Sequence, residues 1–408
     1  MQDCLAGQDA TLVQTLRAAG AVILGKANLS EFAASYSRLG YSSLGGTVLN
    51  PYNPRRSASG SSSGSAAAVA ANFAVMAMGS DTAGSVRGPA SSVALVGMKP
   101  TKGLVSTAGV VPYSHWTDVL GPLTRTVMDA ALSLAVLEQS SQATDPAFQS
   151  ANEFLFSMNM PTTLKQGALQ NVTLGRIVGF DGGNSEIDAL FEQAVTDLEA
   201  LGATVVTIDL SEQVTNNDEV LNGFISGWSV LGPILGFECQ DPLNEYFATA
   251  SAASDGCPAD LAELVARSYP YNDTLNAWNP PRLDAMAQCV ADGTTTADPE
   301  FERLTTQVVP LMDATLNSVM DDNDIAAWIF PTMLCPSKVT WNVEDSTYVC
   351  MSNDQWSPGY MANTMGWPEV TVPMGFTSAG SGSVPAGLSI LGPKFNDPVL
   401  LGYAYDYE

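Results

Sequence analysis

The chain has 408 residues, of which 46% are hydrophobic and 14% are charged, so it can bury a large core and is not an intrinsically disordered protein. Its formal net charge of −26 comes from 42 acidic and 16 basic residues, and a surface this negative repels phosphate backbones and anionic lipids. Nucleic acid is therefore not expected as a partner. No run of 18 uncharged apolar residues is present, so no membrane span is expected either.

The cysteines and the chain start leave the cellular compartment open. Six cysteines include no CxxC pair, which argues against a zinc site or a thioredoxin-like motif. The start, Met1 to Leu5, lacks the basic and then apolar pattern of a signal peptide. Two sequons, at Asn171 and Asn272, would permit glycosylation of a secreted protein. Both a cytoplasmic and a secreted protein fit these observations.

The first elements predicted along the chain surround a lysine. Thr11 to Ala19 has the apolar spacing of an amphipathic helix, and Ala21 to Leu24 has the composition of a buried strand. Lys26 would then follow the end of a strand, where ligands and catalytic groups collect in open α/β sheets. The apolar run would also desolvate its ammonium and favour the neutral amine. Ser65 through Ala77, a run of small residues, is predicted to form a closely packed helix.

Later segments alternate between the two kinds of secondary structure. Periodicity and end signals predict a loop at Asp81 to Pro89 and a strand at Val93 to Met98. Helices are predicted at Thr126 to Leu137 and Ser185 to Leu201, and a further strand at Ala203 to Ile208. The alternation favours an α/β architecture. Residues 211–325 are predicted to supply the variable wall of a substrate pocket. Strands are expected again at Glu369 to Pro373 and Gly387 to Leu391, with a helical tail from Gly402.

Two serines lie in small-residue turns downstream of Lys26. Ser61 belongs to Gly60-Ser61-Ser62-Ser63-Gly64-Ser65, and Ser85 belongs to Asp81-Thr82-Ala83-Gly84-Ser85-Val86-Arg87. Such turns present backbone N–H groups beside a hydroxyl, as acyl transfer requires. The chain has a single histidine, His115, so a serine nucleophile here uses that residue or another base. Lysine is the obvious substitute.

These turns and several other motifs resemble the amidase signature family. The resemblance continues through Gly97-Met98-Lys99-Pro100-Thr101, Gly121-Pro122-Leu123-Thr124-Arg125 and Gly366-Trp367-Pro368, and covers residues 10–135 and 355–408. It implies an α/β fold of the amidase signature type, with one large mixed twisted β-sheet core covered by helices on both faces. The expected organisation is a single amidase domain over residues 1–408.

The resemblance also implies a Ser-Ser-Lys triad. Ser85 would be the acyl nucleophile, Ser61 the bridging serine held in a cis peptide, and Lys26 the base. The amides of Thr82, Ala83, Gly84 and Ser85 would form the oxyanion hole, with Asp81, Arg87 and Ser62 in supporting roles. Ala83 stands where the family usually has glycine, which would be costly if that position needs a positive φ.

The implied activity is hydrolysis of a carboxylic amide through an acyl-serine intermediate, without a metal or an organic cofactor. The expected partner is a small-molecule amide substrate, and the oligomeric state is left open, with a homodimer as one option. Two alternatives stay within the resemblance. The chain could be the A subunit of a tRNA-dependent amidotransferase, working as a glutaminase. It could also be a truncated, inactive relative, because family members usually carry a further segment before the Lys26 motif, which predicts that the N-terminal part of the family domain is missing.

A competing interpretation uses the histidine. Gly60 to Gly64 satisfies G-x-S-x-G, the nucleophile elbow of α/β-hydrolases, and is followed by Asp81 and His115. Both partners lie within about 55 residues of the serine, which is too compact for the strand order of that fold. His115 is therefore expected to be a structural loop residue.

Overall fold

The computed structural model describes residues 4–34, 38–140, 164–215, 217–253, 256–268, 280–340, 343–378 and 382–408. Its centre is an eight-stranded mixed sheet with the order β3-β5-β4-β9-β10-β8-β6-β7. These strands are β3 (Met76–Asp81), β4 (Val96–Lys99), β5 (Val119–Thr124), β6 (Thr173–Ile177), β7 (Thr204–Ile208), β8 (Ala327–Pro331), β9 (Glu369–Phe376) and β10 (Pro385–Leu391). Strand β6 pairs in parallel with β7 and β8, and the other neighbours in this sheet are antiparallel. A separate two-stranded ribbon consists of β1 (Tyr41–Ser42) and β2 (Gly46–Thr47).

Helices pack on both faces of the sheet. In chain order they are α1 (Thr11–Ala18), α2 (Ser63–Ala70), α3 (Arg87–Ser92), α4 (Val127–Leu137), α5 (Ser185–Ala200), α6 (Leu210–Gln213), α7 (Asp218–Ile225), α8 (Trp228–Phe237), α9 (Asp241–Ala253), α10 (Leu261–Ser268), α11 (Pro280–Asp292), α12 (Pro299–Arg303), α13 (Val309–Asp322), α14 (Tyr360–Met365) and α15 (Asp397–Tyr407). Short 3₁₀ turns lie at Glu31–Ala33, Glu138–Ser140 and Ser357–Gly359, and a π turn lies at Leu304–Val308.

Strand β8 shows how the two faces divide the core. Ile329 packs into the cluster formed with α1, α4, α5 and α15. Its neighbours Trp328 and Phe330 pack into the cluster formed with α7, α8 and α13, because successive side chains of a strand point to opposite faces. The expected mixed sheet covered by helices on both faces is therefore confirmed.

Helix α5 illustrates a prediction carried by local signals. It begins after Asn184, whose side chain accepts hydrogen bonds from the amides of Glu186 and Ile187, so Asn184 rather than Ser185 is the N-cap. It ends before Gly202, whose φ of 101° is readily adopted only by glycine. The predicted bounds, Ser185 to Leu201, differ from the observed ones by one residue.

Three early predictions are wrong. Residues 21–24 form no strand, and Val22 and Leu24 are 81% and 74% exposed. The helix predicted from Ser65 to Ala77 ends at Ala70, and the chain then enters β3. The predicted Asp81 to Pro89 loop is also shorter than expected, since α3 begins at Arg87.

All six cysteines are paired in disulfides, Cys4–Cys257, Cys239–Cys289 and Cys335–Cys350. The Asn171 sequon lies in an exposed turn before β6, whereas Asn272 falls outside the described residues. Among the described residues, no single helix is long and apolar enough to cross a membrane. Two helical stretches, Asp218–Ile225 and Trp228–Ala250, are long and apolar enough only when they are taken together, and they meet at a 90° bend.

Candidate active site

Ser61 and Ser85 line the same cavity, which has a volume of about 420 Å³ and also contains Gly60, Thr82 and Ala83 in its lining. The two serine turns are held side by side by a backbone hydrogen bond, because the Ser62 amide donates to the Ser85 carbonyl at 3.3 Å. The structure thus brings together two of the three predicted triad residues and two of the predicted oxyanion residues.

The Ser61 turn is also joined to the segment that carries Lys26. The Ser30 amide donates to the Ser61 carbonyl at 2.9 Å, and the Gly64 amide donates to the Asn28 carbonyl at 3.1 Å. A Cβ at Gly64 would lie 2.2 Å from that Asn28 oxygen, so only glycine permits this approach. The expected cis peptide bond between Gly60 and Ser61 is present.

The hydroxyl of Ser61 is buried without a hydrogen bond. The residue is 3% exposed, and its Oγ has no partner among the described residues. A buried, unpaired hydroxyl is costly unless another group comes to it. Ser85 is half-buried, which leaves its side chain accessible from the cavity.

Lys26 does not contact the two serines in this structure. Its side chain is solvent-exposed, in an extended segment with no strand partner among the described residues, and it is not one of the residues that line the cavity. The expectation that an apolar run would bury this ammonium is therefore wrong.

Asp81 organises the predicted oxyanion loop. Its carboxylate, fully buried, accepts hydrogen bonds from the amides of Gly84 at 2.8 Å and Val86 at 3.0 Å. The Gly84 amide is therefore engaged and is not free for an oxyanion, contrary to the prediction. For the amides of Thr82, Ala83 and Ser85 we find no acceptor in the part of the chain that the structure describes.

The positive φ in this loop falls at Gly84, where it is 103°, and not at Ala83. A Cβ at Gly84 would lie 2.9 Å from the indole of Trp356. Glycine is therefore required at position 84, and the alanine at position 83 carries no cost of backbone conformation.

Arg87 connects the loop to the centre of the sheet. It is 1% exposed and pairs with Asp81 through Nε at 3.0 Å and Nη2 at 2.9 Å, and Nη1 also pairs with Glu369. The Arg87 guanidinium, with the loop amides, holds the pKa of Asp81 far below its usual range despite burial. Burial raises the pKa of Glu369, an effect that Arg87 opposes. The sequence motifs pointed to Asp81 and Arg87 but not to Glu369.

Lys99 is a second buried residue of the site. It belongs to the motif Gly97-Met98-Lys99-Pro100-Thr101, which gave no indication of its role. It is fully buried, its Nζ donates to the Trp367 carbonyl at 2.7 Å, and burial together with the Arg87 charge lowers its pKa to about 7. Lys99 lies within one of the family motifs and Glu369 directly follows another. Their proximity to these motifs was the only sequence signal that could have pointed to them as site residues.

Ser62 lies outside the cavity lining and bonds to the neighbouring strand. Its Oγ accepts a hydrogen bond from the Ser80 amide at 3.2 Å and donates to the Ser80 carbonyl at 3.3 Å. Because Ser80 belongs to the edge strand β3, these bonds fasten the Ser61 turn to the sheet. A supporting part for Ser62 remains a proposal, with this contact as its physical basis.

His115 lies away from the two serines. It is about half exposed, its Nε2 lies 3.0 Å from a Glu245 carboxylate oxygen, and it lines a separate cavity of about 550 Å³. It occupies a turn, as expected for a structural loop residue. Within the described residues, no group of three His, Cys, Asp or Glu side chains is placed to hold a metal ion.

With this geometry established, comparison with known proteins assigns the class. The family model named Amidase matches residues 1–401, and the chain belongs to this family, the amidase signature family. It is similar to the A subunit of glutamyl-tRNA(Gln) amidotransferase from Thermosynechococcus vestitus, with 31% identity over 98% of this chain and 77% of the relative.

Solved structures agree with the assignment. Native peptide amidase from Stenotrophomonas maltophilia is 31% identical, with a TM-score of 0.77 over 98% of this chain and 76% of that chain. An amidase family protein from Bacillus anthracis is 27% identical, with a TM-score of 0.77 over 100% of this chain and 72% of that chain. The chain therefore has the amidase signature fold.

Proposed function

We propose that this protein hydrolyses a carboxylic amide through an acyl-enzyme formed on Ser85. The observation that carries the proposal is the shared cavity, which is lined by Ser61 and Ser85 together with Thr82 and Ala83 of the same loop. Nucleophile, proton carrier and backbone donors are the parts that acyl transfer requires. Membership of the amidase family supports the choice of an amide bond.

The proposed reaction runs in two halves. Ser85 Oγ bonds to the amide carbon while its proton passes to Ser61 and the Ser61 proton passes to the neutral amine of Lys26. The C–N bond then breaks, the proton returns to the leaving nitrogen, and an ester on Ser85 remains. Water attacks that ester by the same route, releasing the acid and restoring the Ser85 hydroxyl.

Lys26 is the part of this proposal that needs a change of position. Its segment is already fastened to the Ser61 turn at Asn28 and Ser30, and the unpaired Ser61 hydroxyl is the group that the amine would engage. The reaction therefore requires the exposed segment to fold onto the turn, which would also bury the ammonium.

A fluorophosphonate probe, which labels activated serines, tests the proposal. Labelling should occur on Ser85 and disappear in Ser85→Ala, and it should fall by at least about 100-fold in Lys26→Ala. His115→Ala is the matched control and should label within a small factor of the parent. Loss of labelling in His115→Ala, or an adduct on another serine, would overturn the mechanism.

A glutaminase working for a second polypeptide is the runner-up, because relatives about 31% identical carry the name of an amidotransferase component. Ammonia release from glutamine that rises when a second polypeptide is added would favour it. The net charge of −26 opposes a tRNA-facing assembly, since phosphate backbones are repelled by such a surface. A folded protein that never labels would indicate the inactive relative.

A further inference from the structure

The cavity that holds the two serines has uncharged, aromatic walls. Among the described residues, its lining contains no side chain with a formal charge, and its bulk comes from Tyr113, Trp228, Leu235, Trp356 and Tyr360. Its volume of about 420 Å³ lies within the range typical of small-molecule sites. The walls therefore select by apolar contact and ring stacking rather than by charge.

The rings are fixed by their neighbours. Trp356 lies against backbone at Gly84 and Gly88, where an added Cβ would come within 2.9 Å and 2.1 Å of its indole. Trp228 and Tyr360 pack with their ring centroids 5.3 Å apart. The Tyr360 hydroxyl donates to the Asp354 carboxylate at 3.1 Å, which anchors the ring at its polar end.

The charged residues beneath the loop and behind Tyr113 do not line the cavity. Asp81 and Arg87 form a fully buried pair beneath the loop. Arg282 is 5.5 Å from the centroid of the Tyr113 ring but is not itself a lining residue. A substrate with an ionic head would lose its hydration in this cavity without gaining a counter-charge, and that exchange is unfavourable.

We propose that the acyl part of the substrate is neutral and carries an aromatic ring or a comparably bulky apolar group, so that arylalkanoic amides are cleaved in preference to glutamine. This inference rests on the proposed amide hydrolysis at Ser85. It assigns the aromatic walls to the acyl half of the amide, which is the half that stays bonded to Ser85 in the proposed intermediate.

Position 236 offers a direct way to test the assignment. Gly236 lines the cavity, and a Cβ placed there would meet no atom within 4 Å. It lies inside α8 with no positive φ, so larger residues are compatible with the backbone. Gly236→Phe adds a ring at this exposed, open position of the lining, and Gly236→Ala is the matched control that adds one carbon.

The experiment measures kcat/KM for ammonia release from acetamide, 3-phenylpropanamide, glutamine and succinamate, and for aniline release from acetanilide, whose ring lies on the amine side. We expect 3-phenylpropanamide to exceed acetamide and glutamine by about 100-fold. Gly236→Phe should lower this preference by at least about 10-fold, and Gly236→Ala should change it less than about threefold. Trp228→Ala should lower it as well, because it removes a wall.

The outcomes separate this inference from the proposed function. If Ser85 is labelled by the fluorophosphonate but glutamine, succinamate or acetanilide is the best substrate, amide hydrolysis stands and the substrate class is overturned. The proposed substrate class is also overturned if Ser85 is labelled and no compound of the panel is cleaved, or if Gly236→Phe leaves the preference unchanged. If Ser85 is never labelled, the proposed function fails and the substrate class fails with it.

Discussion

Replacing Asp81 with asparagine should damage both the stability of the protein and the geometry of its candidate oxyanion loop. The carboxylate is fully buried and accepts hydrogen bonds from the amides of Gly84 and Val86 and from the Arg87 guanidinium. Asparagine keeps one acceptor oxygen but presents an NH₂ group to the remaining donors. Arg87 would keep only Glu369 as an anionic partner.

The expected loss is large because the broken ion pair is buried. Removing one partner of such a pair typically costs about 3–5 kcal/mol, against a total unfolding free energy of about 5–15 kcal/mol. Urea unfolding at constant pH should therefore show Asp81→Asn destabilised by about 3–5 kcal/mol. The labelling rate of Ser85, corrected for the folded fraction, should also fall by at least about 10-fold, because one side-chain oxygen cannot accept from both loop amides in their present positions.

A second buried arginine supplies the control. Asp345 pairs with Arg56, which is fully buried, and neither residue lines the cavity. Asp345→Asn should therefore lower stability but leave the corrected labelling rate unchanged. If Asp81→Asn unfolds within about 1 kcal/mol of the parent, the reasoning about the buried pair is wrong. If it is destabilised but labels like Asp345→Asn, the pair is structural and does not position the loop.

Two further predictions concern pH and backbone conformation. Burial and the Asp397 charge raise the pKa of Glu138 from its ordinary value of 4.5 to about 7, so the folded state holds an extra proton between these pH values. The unfolding free energy should therefore fall by up to about 3 kcal/mol as pH rises through this window. Glu138→Gln should flatten that decline when urea unfolding is compared at pH 5 and pH 8, and an equal decline in both proteins would contradict the assignment. Gly84→Ala should lower the unfolding free energy by about 1–2 kcal/mol because of the φ at this position, and it should abolish fluorophosphonate labelling through contact with Trp356. Ala83→Gly should label normally. Equal labelling of the two variants would show that the loop tolerates a side chain at position 84.

The parts of the fold that were predictable are those with strong local signals. Helix α5 combines an apolar stripe with a glycine stop, and both act within a few residues of the chain, whereas its cap is Asn184 and not the predicted Ser185. Strand β3 gave no such signal, because Met76–Asp81 follows a run of small residues that also suits a helix. Its place at the sheet edge depends on pairing with β5, which no short stretch of sequence encodes.

The candidate site was predictable in its serines and not in its walls. Ser61 and Ser85 were found because small-residue turns around a hydroxyl form a local pattern. The rings that shape the cavity come from positions 113, 228, 356 and 360, and only the tertiary fold brings them to the same place. Any single aromatic residue between positions 211 and 325 is more often part of the hydrophobic core than of a pocket wall, as Phe224 and Phe247 are here.

The segment from Ala21 to Lys26 shows that local sequence composition alone does not predict whether a segment is buried. Val22, Ile23 and Leu24 have the composition of a buried strand, but strand propensity describes how side chains fit a pleated, partly buried surface and acts only when a neighbouring strand is available. In the described structure no strand pairs with this segment, and its apolar side chains face solvent. The same missing contact leaves the Lys26 side chain exposed, so burial of these apolar side chains and contact between Lys26 and Ser61 are expected to occur together or not at all.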